Sequence, residues 1–270
     1  MSSPQSSVQL YSVREPLETD LGGTLERLAE MGLRNVEAFG FVGRAAELRA
    51  AFDAAGLRAP SGHAAFLSDQ LRFGDKTIEV PPLESVLDDA EALGVELLID
   101  PMVGPDRWAS RDEVLRTAER LNAAAEAAAG RGIRVGYHNH SQEFHHSFDG
   151  VAAYEVFVSQ LRDDVALELD AYWAQVGGQD VPALVGRLGS RLKALHVKDG
   201  PVGADPFRTG AFDAADLGQV PAGAGQVALD EALAAATSLE LAVVEFDHYA
   251  GDIFEGIEAG VRYLADRGIR

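Results

Sequence analysis

The feature that most limits the fold of this 270-residue chain is a strict alternation. Short runs rich in β-branched or aromatic residues give way to longer segments whose apolar residues recur at helical spacing, and the pattern continues to the end. Residues 8–12 predict a first strand, and Leu21, Leu25, Leu28 and Met31 then mark one helix face that stops at Gly32. Further strands are predicted at 35–39, 57–63, 95–99, 133–138, 165–170, 192–198 and 241–246, each followed by a helical segment. Ser110 and Glu113 form a capping-box pair at the start of one of these segments. Repeated βα units imply parallel strands, and eight units of about 30 residues predict an α/β fold, a single (β/α)8 TIM barrel over 1–270. The polar stretch 1–7 reads as a flexible tail. An open doubly wound sheet would usually carry a Gly-rich turn after its first strand, and Tyr11-Ser12-Val13-Arg14 supplies none.

Composition narrows the partners. Lys plus Arg number 23 against 43 Asp plus Glu, a net charge of −20 that repels phosphate backbones and anionic lipid headgroups. Nucleic acid and membrane surfaces are therefore not expected partners. There is no cysteine, which excludes disulfides, thiolate metal sites and cysteine nucleophiles. The N-terminus lacks the basic and apolar regions of a secretory signal, and no apolar run reaches the length of a membrane span, so a cytoplasmic location is expected.

In a barrel of this kind chemistry gathers at the C-terminal ends of the strands. The seven histidines, among them His63, His138, His140 and His196, all fall at predicted strand ends or in the loops that follow. Glu37, Asp100, Glu143, Asp170 and Glu245 repeat the pattern. Carboxylates converging on one mouth would repel one another without a cation, so a divalent ion is expected. Imidazole and carboxylate donors without thiolate suit Mn2+, Mg2+, Co2+, Fe2+ or Zn2+. His196 and Lys198 sit two apart in one strand and share a face, with Leu195 and Val197 pointing the other way. Glu168 has the parity of Asp170 and can lie deeper in the barrel or form an ion pair. Asp247 has the parity of Glu245.

The densest polar stretch is Tyr137-His138-Asn139-His140-Ser141-Gln142-Glu143-Phe144. Together with 9–14, Leu169-Asp170, His196-Val197-Lys198-Asp199 and Val244-Glu245, it makes the chain resemble the sugar phosphate isomerase/epimerase family, the xylose-isomerase-like TIM barrels. The resemblance spans roughly 8–268 and is carried by the ordered set of motifs rather than by any one of them. It implies one divalent metal ion held by Glu143, Asp170, His196 and Glu245, with His138 as the alternative to Glu143. It also implies His138, Lys198 and Glu245 as catalytic groups, with Glu37, His63 and His140 on substrate hydroxyls. The implied reaction is isomerisation or epimerisation of a keto-sugar or polyol, by proton transfer through a metal-stabilised enediolate. Two alternatives stand beside it: a metal-dependent lyase or dehydratase acting on a keto-sugar, 3-keto-glycoside or inositol derivative, and a non-catalytic sugar-binding barrel. An unphosphorylated substrate is expected, since 200–226 offers only Arg208 as a cation. Gly223-Ala224-Gly225 departs from similar proteins, which often carry an acidic residue between those glycines. Homo-oligomerisation stays open, because no apolar stripe demands it.

Overall fold

The computed structural model describes residues 3–73, 76–203, 205–210 and 212–270. Eight parallel strands form the barrel: β1 (Gln5–Val8), β2 (Asn35–Phe39), β3 (Arg58–His63), β4 (Leu97–Asp100), β5 (Arg134–His138), β6 (Ala166–Asp170), β7 (Leu192–Val197) and β8 (Leu241–Val244). They pair around the ring from β1 through β8, β7, β6, β5, β4 and β3 to β2. Between β1 and β2 the ring is nearly closed by a single bridge from Gln9 to Glu37 and by Asn35 Nδ2 donating to the Ser6 carbonyl at 3.1 Å. Helices flank the ring, including Leu21–Glu30, Ala45–Ala55, Leu83–Leu93, Arg111–Ala128 and Ile253–Ala265. Among the described residues no helix is long and apolar enough to cross a membrane.

Strand parity sorts the interior. Leu97, Ile99, Ala166, Ala194, Leu241 and Val243 form a small apolar cluster of their own inside the ring, while Leu195 and Val197 join the larger core beneath the helices. Continuing the inward parity up the strands leads to Glu168, Asp170, His196, Lys198 and Glu245. The barrel therefore has an apolar floor and an ionisable upper layer on the same side-chain rows.

Three features depart from expectation. The first strand begins at Gln5 rather than Val8, because Gln5, Ser6 and Ser7 pair with Leu241, Ala242 and Val243. Those three residues are thus not tail; residues 1 and 2 of that stretch lie outside the described residues. Leu10–Val13 then winds into a 3-10 helix, its start held by the Gln9 side chain accepting from Tyr11 N. Two antiparallel hairpins were also not anticipated: Gln70–Phe73 with Lys76–Glu79, and Ser147–Phe148 with Val151–Ala152. The capping box forms by half: Ser110 Oγ accepts from Glu113 N at 3.3 Å, while the Glu113 carboxylate turns to Arg116 and Arg107.

Candidate active site at the barrel mouth

The ends of β6, β7 and β8 bring Asp170, His196 and Glu245 together, with one donor atom from each lying within 4.8 Å of the others. His196 Nδ1 is 2.7 Å from Glu245 Oε2 and 4.0 Å from Asp170 Oδ2. His138, at the end of β5, reaches the same point, with Nε2 at 3.8 Å from Asp170 Oδ2. Lys198 Nζ lies 2.9 Å from Asp170 Oδ2, 2.6 Å from Glu245 Oε2 and 3.0 Å from Asp247 Oδ2. The carboxylates are therefore not left to a metal alone, as the sequence suggested: an ammonium already stands among them. Three carboxylates around one ammonium still leave negative charge to be met.

Asp170 does two jobs. Its Oδ1 accepts from Trp173 N at 2.8 Å and so starts the helix Ala171–Val176, a cap worth about 1 kcal/mol. Its Oδ2 is buried beside Lys198 without a well-directed hydrogen bond. A buried carboxylate oxygen that meets only the Lys198 ammonium, beside an imidazole nitrogen and a second carboxylate, is part of a donor set that fits a divalent ion. The residues able to hold it are Asp170, His196 and Glu245, with His138 beside them.

Glu143 is not brought to this point. Its oxygens are taken by Tyr137 Oη at 2.8 Å and by the backbone N–H of His140 at 2.9 Å, so it braces the loop after β5. The structure puts His138, not Glu143, at the strand-five position. Glu37 is also displaced from its expected role on substrate hydroxyls. It is completely buried and accepts from Gln9 Nε2 at 2.7 Å and from His196 Nε2 at 2.7 Å. Beside it Glu168 Oε2 meets His63 Nε2 at 2.5 Å, His138 Nδ1 at 3.0 Å and His196 Nε2 at 3.2 Å. These four residues, Glu168 with His63, His138 and His196, make a second group of suitable donor atoms, of which His63 and His138 border the cleft; Glu168 Oε2 is already shared by the three imidazoles, while its Oε1 is buried without a hydrogen-bond partner.

Burial and these neighbours set the ionisation. Burial works against the Lys198 ammonium, yet Asp170, Asp247 and Glu245 hold its pKa well above the ordinary lysine value. Burial would raise the Glu245 carboxyl, and Lys198 and His196 overcome it and hold it well below the usual range. Asp170 goes the other way: burial lifts it to about 6 against the pull of Lys198. His138 is pushed down to about 3 by burial and by His196, and His140 is pushed well down by burial and by His138. His196 is raised well above its ordinary value because Glu168, Glu245 and Glu37 outweigh its burial.

A cleft of about 1570 Å3 opens onto this floor, which is reached through His63, His138, His140, Glu245 and Asp247. His140 Nδ1 is buried and has no hydrogen-bond partner, and its ring packs against Trp173 and Phe207. Two further residues escaped the sequence reading. Gln219 clasps Asp247, with Nε2 donating to Oδ2 at 2.7 Å and Oε1 accepting from the Asp247 N–H at 2.8 Å. Asp199 was noticed only as part of a motif, yet its carboxylate accepts from the N–H groups of Gly223, Gly225 and Val227 at 2.9–3.0 Å. A Cβ at Gly225 would fall 2.2 Å from Asp199 Oδ1, so the glycine is required by that close approach. The loop lacks an acidic residue between its glycines, and Asp199 serves it from below.

A family model described as a xylose isomerase-like TIM barrel matches residues 25–266. Among solved structures, a sugar phosphate isomerase/epimerase from Parabacteroides distasonis ATCC 8503 superposes with a TM-score of 0.77 at 24% identity, covering 98% of this chain and 94% of that one. The IolI protein with a binding zinc atom gives 0.71 at 16% identity, covering 97% of each chain. The probable 3-DHS dehydratase AsbF, involved in petrobactin synthesis, from Bacillus anthracis, gives 0.70 at 15% identity over 97% of this chain and 99% of that one. No curated protein matches the sequence. These likenesses speak for the fold, and with the family model spanning nearly the whole barrel, the chain belongs to the xylose isomerase-like TIM barrel family.

Proposed function

We propose that the protein is a divalent-metal-dependent isomerase or epimerase that moves a proton between neighbouring carbons of an unphosphorylated keto-sugar or polyol. The observation that carries this reading is the meeting of Asp170 Oδ2, His196 Nδ1 and Glu245 Oε2, with Glu245 bordering the open cleft and Asp170 and His196 buried behind it. A divalent ion bound there supplies Lewis acidity, polarising a substrate carbonyl and acidifying the adjacent C–H. Glu245, ionised and facing the cleft, is the carboxylate that takes and returns the proton. Lys198 stays an ammonium and so donates to oxyanion charge as it develops, rather than acting as a base. His138 remains neutral above about pH 3 and can orient substrate without adding charge. His140 and His63, which border the cleft, are placed to bond sugar hydroxyls.

The test is incubation of the ion-loaded protein in D2O with keto-sugars, inositols and 3-keto-glycosides, followed by mass spectrometry. Deuterium incorporation without elimination is expected. Loss of water or of an aglycone would replace this reading with that of a lyase, and no reaction despite a bound ion would replace it with a non-catalytic barrel. Asp170→Asn keeps the helix cap, because Asn caps as well as Asp, but removes the charge. The variant should stay folded, its melting temperature lowered by at most about 10 °C because Glu245 and Asp247 still pair the Lys198 ammonium, while bound ion and exchange rate fall at least about a hundredfold.

A further inference from the structure

The cleft is larger than one sugar needs, and its outer half is of a different character from its floor. Its volume of about 1570 Å3 exceeds the roughly 300–1,000 Å3 usual for small-ligand pockets. Four large apolar side chains are conspicuously exposed among the described residues: Phe39 (41%), Ile78 (52%), Val151 (44%) and Phe212 (49%). All but Val151 line this one cleft. Exposed large apolar groups gathered in one concavity mark a place where something apolar binds.

These side chains are also braced. Phe212 and Phe207 pack ring to ring at 5.3 Å between centroids, and Phe207 meets Trp173 edge-on at 5.1 Å. On another element Phe39 sits edge-to-face with Tyr11 at 5.1 Å. Ile78 comes from the hairpin after β3. The aromatic lip thus begins at Trp173, three residues beyond Asp170, and is continuous with the ionisable floor.

We propose that this outer half is an aglycone subsite, and that the substrate is a keto-glycoside whose ketone-bearing sugar ring lies on the floor while an uncharged apolar ring rests against Phe39, Ile78 and Phe212. The assignment rests on the sugar chemistry proposed above and narrows it from free monosaccharides to sugars bearing an apolar group. Aromatic side chains present flat, polarisable faces that suit a ring, and the cleft's lining, with Asp69, Glu79, Asp106, Glu245 and Asp247 against Arg72 and Arg107, disfavours an anionic one.

Calorimetric titration of the ion-loaded protein with methyl and phenyl β-D-glucoside tests the subsite. Phenyl glucoside should bind at least about tenfold more tightly than methyl glucoside. In a Phe39→Ala/Phe212→Ala double variant the two should bind equally, with methyl glucoside affinity, bound ion and melting temperature unchanged. Equal affinities in the unaltered protein, a phenyl preference that survives the double substitution, or binding of neither glucoside would overturn the assignment. A phenyl preference retained by a protein that exchanges no deuterium would count against the proposed reaction and leave the subsite standing.

Discussion

The Nδ1 side of His196 and its Nε2 side each face two carboxylates, but the two sides differ in access. On the Nδ1 side Glu245 borders the cleft and Asp170 keeps a buried oxygen without a directed hydrogen bond. On the Nε2 side neither Glu37 nor Glu168 borders the cleft; Glu37 Oε1 and Glu168 Oε2 are held by Gln9, His63, His138 and His196, while Glu37 Oε2 and Glu168 Oε1, like Asp170 Oδ2, are buried without a hydrogen-bond partner, so the two sides differ in access through Glu245. One imidazole thus joins a half that reaches the cleft through Glu245 to a supporting half that does not. If an ion binds at Nδ1 as proposed above, the Nε2–H donated to Glu37 would fix the tautomer and the ring plane, a carboxylate–histidine arrangement that would tune the ligand from behind. The lesson is that chemically similar carboxylates divide their work by who else holds them.

The division can be broken most severely at Glu168. Glu168→Ala deletes the acceptor shared by three imidazoles in a dry interior, and should cost about 3–5 kcal/mol in denaturant unfolding. A loss under about 1 kcal/mol would show that the supporting half is not held together by this carboxylate.

Glu143 extends the comparison to a third buried carboxylate, one that braces a loop. Burial raises its pKa from 4.5 to about 7, only partly offset by Tyr137 and the His140 N–H. The folded state then binds more protons than the unfolded state between those values, so the stabilisation this group gives is present below pH 4.5 and is lost as pH rises to 7. The shift corresponds to at most about 3 kcal/mol. Unfolding curves of the unaltered protein and of Glu143→Gln, compared across pH 4.5–7, should diverge with that sign; parallel profiles would contradict it.

The smallest effect is expected at Glu37. Glu37→Gln keeps the acceptor for Gln9 but removes the charge behind His196, and ion affinity measured by chelator competition should fall about 10–100-fold. Unchanged affinity would mean that the Nε2 side does not tune the Nδ1 side.

Much of this organisation is legible in the sequence. Seven of the eight strands lie where apolar runs predict them, because buried parallel strands need continuous apolar rows. The first does not, because Gln5, Ser6 and Ser7 look like tail to any hydropathy reading, yet Ser6 and Ser7 are buried. Parity along β6, β7 and β8 is enough to align Asp170, His196, Lys198 and Glu245. Glu143 misled because nearness in sequence to a motif says nothing about direction: it lies in a 3-10 turn whose hydrogen bonds run back to Tyr137 and His140. Glu37 misled because a polar residue in a strand signals neither depth nor partner, and its partner is 159 residues away. Gln219 sits in a loop with no periodicity, and only the folded chain brings it to Asp247.

The central claim is tested most directly by anomalous diffraction from crystals of the protein loaded with Mn2+. The account predicts one strong anomalous peak per chain, in contact with His196 Nδ1, Asp170 and Glu245. Crystals that bind no ion, or a peak lying instead among Glu37, His63 and Glu168, would contradict it.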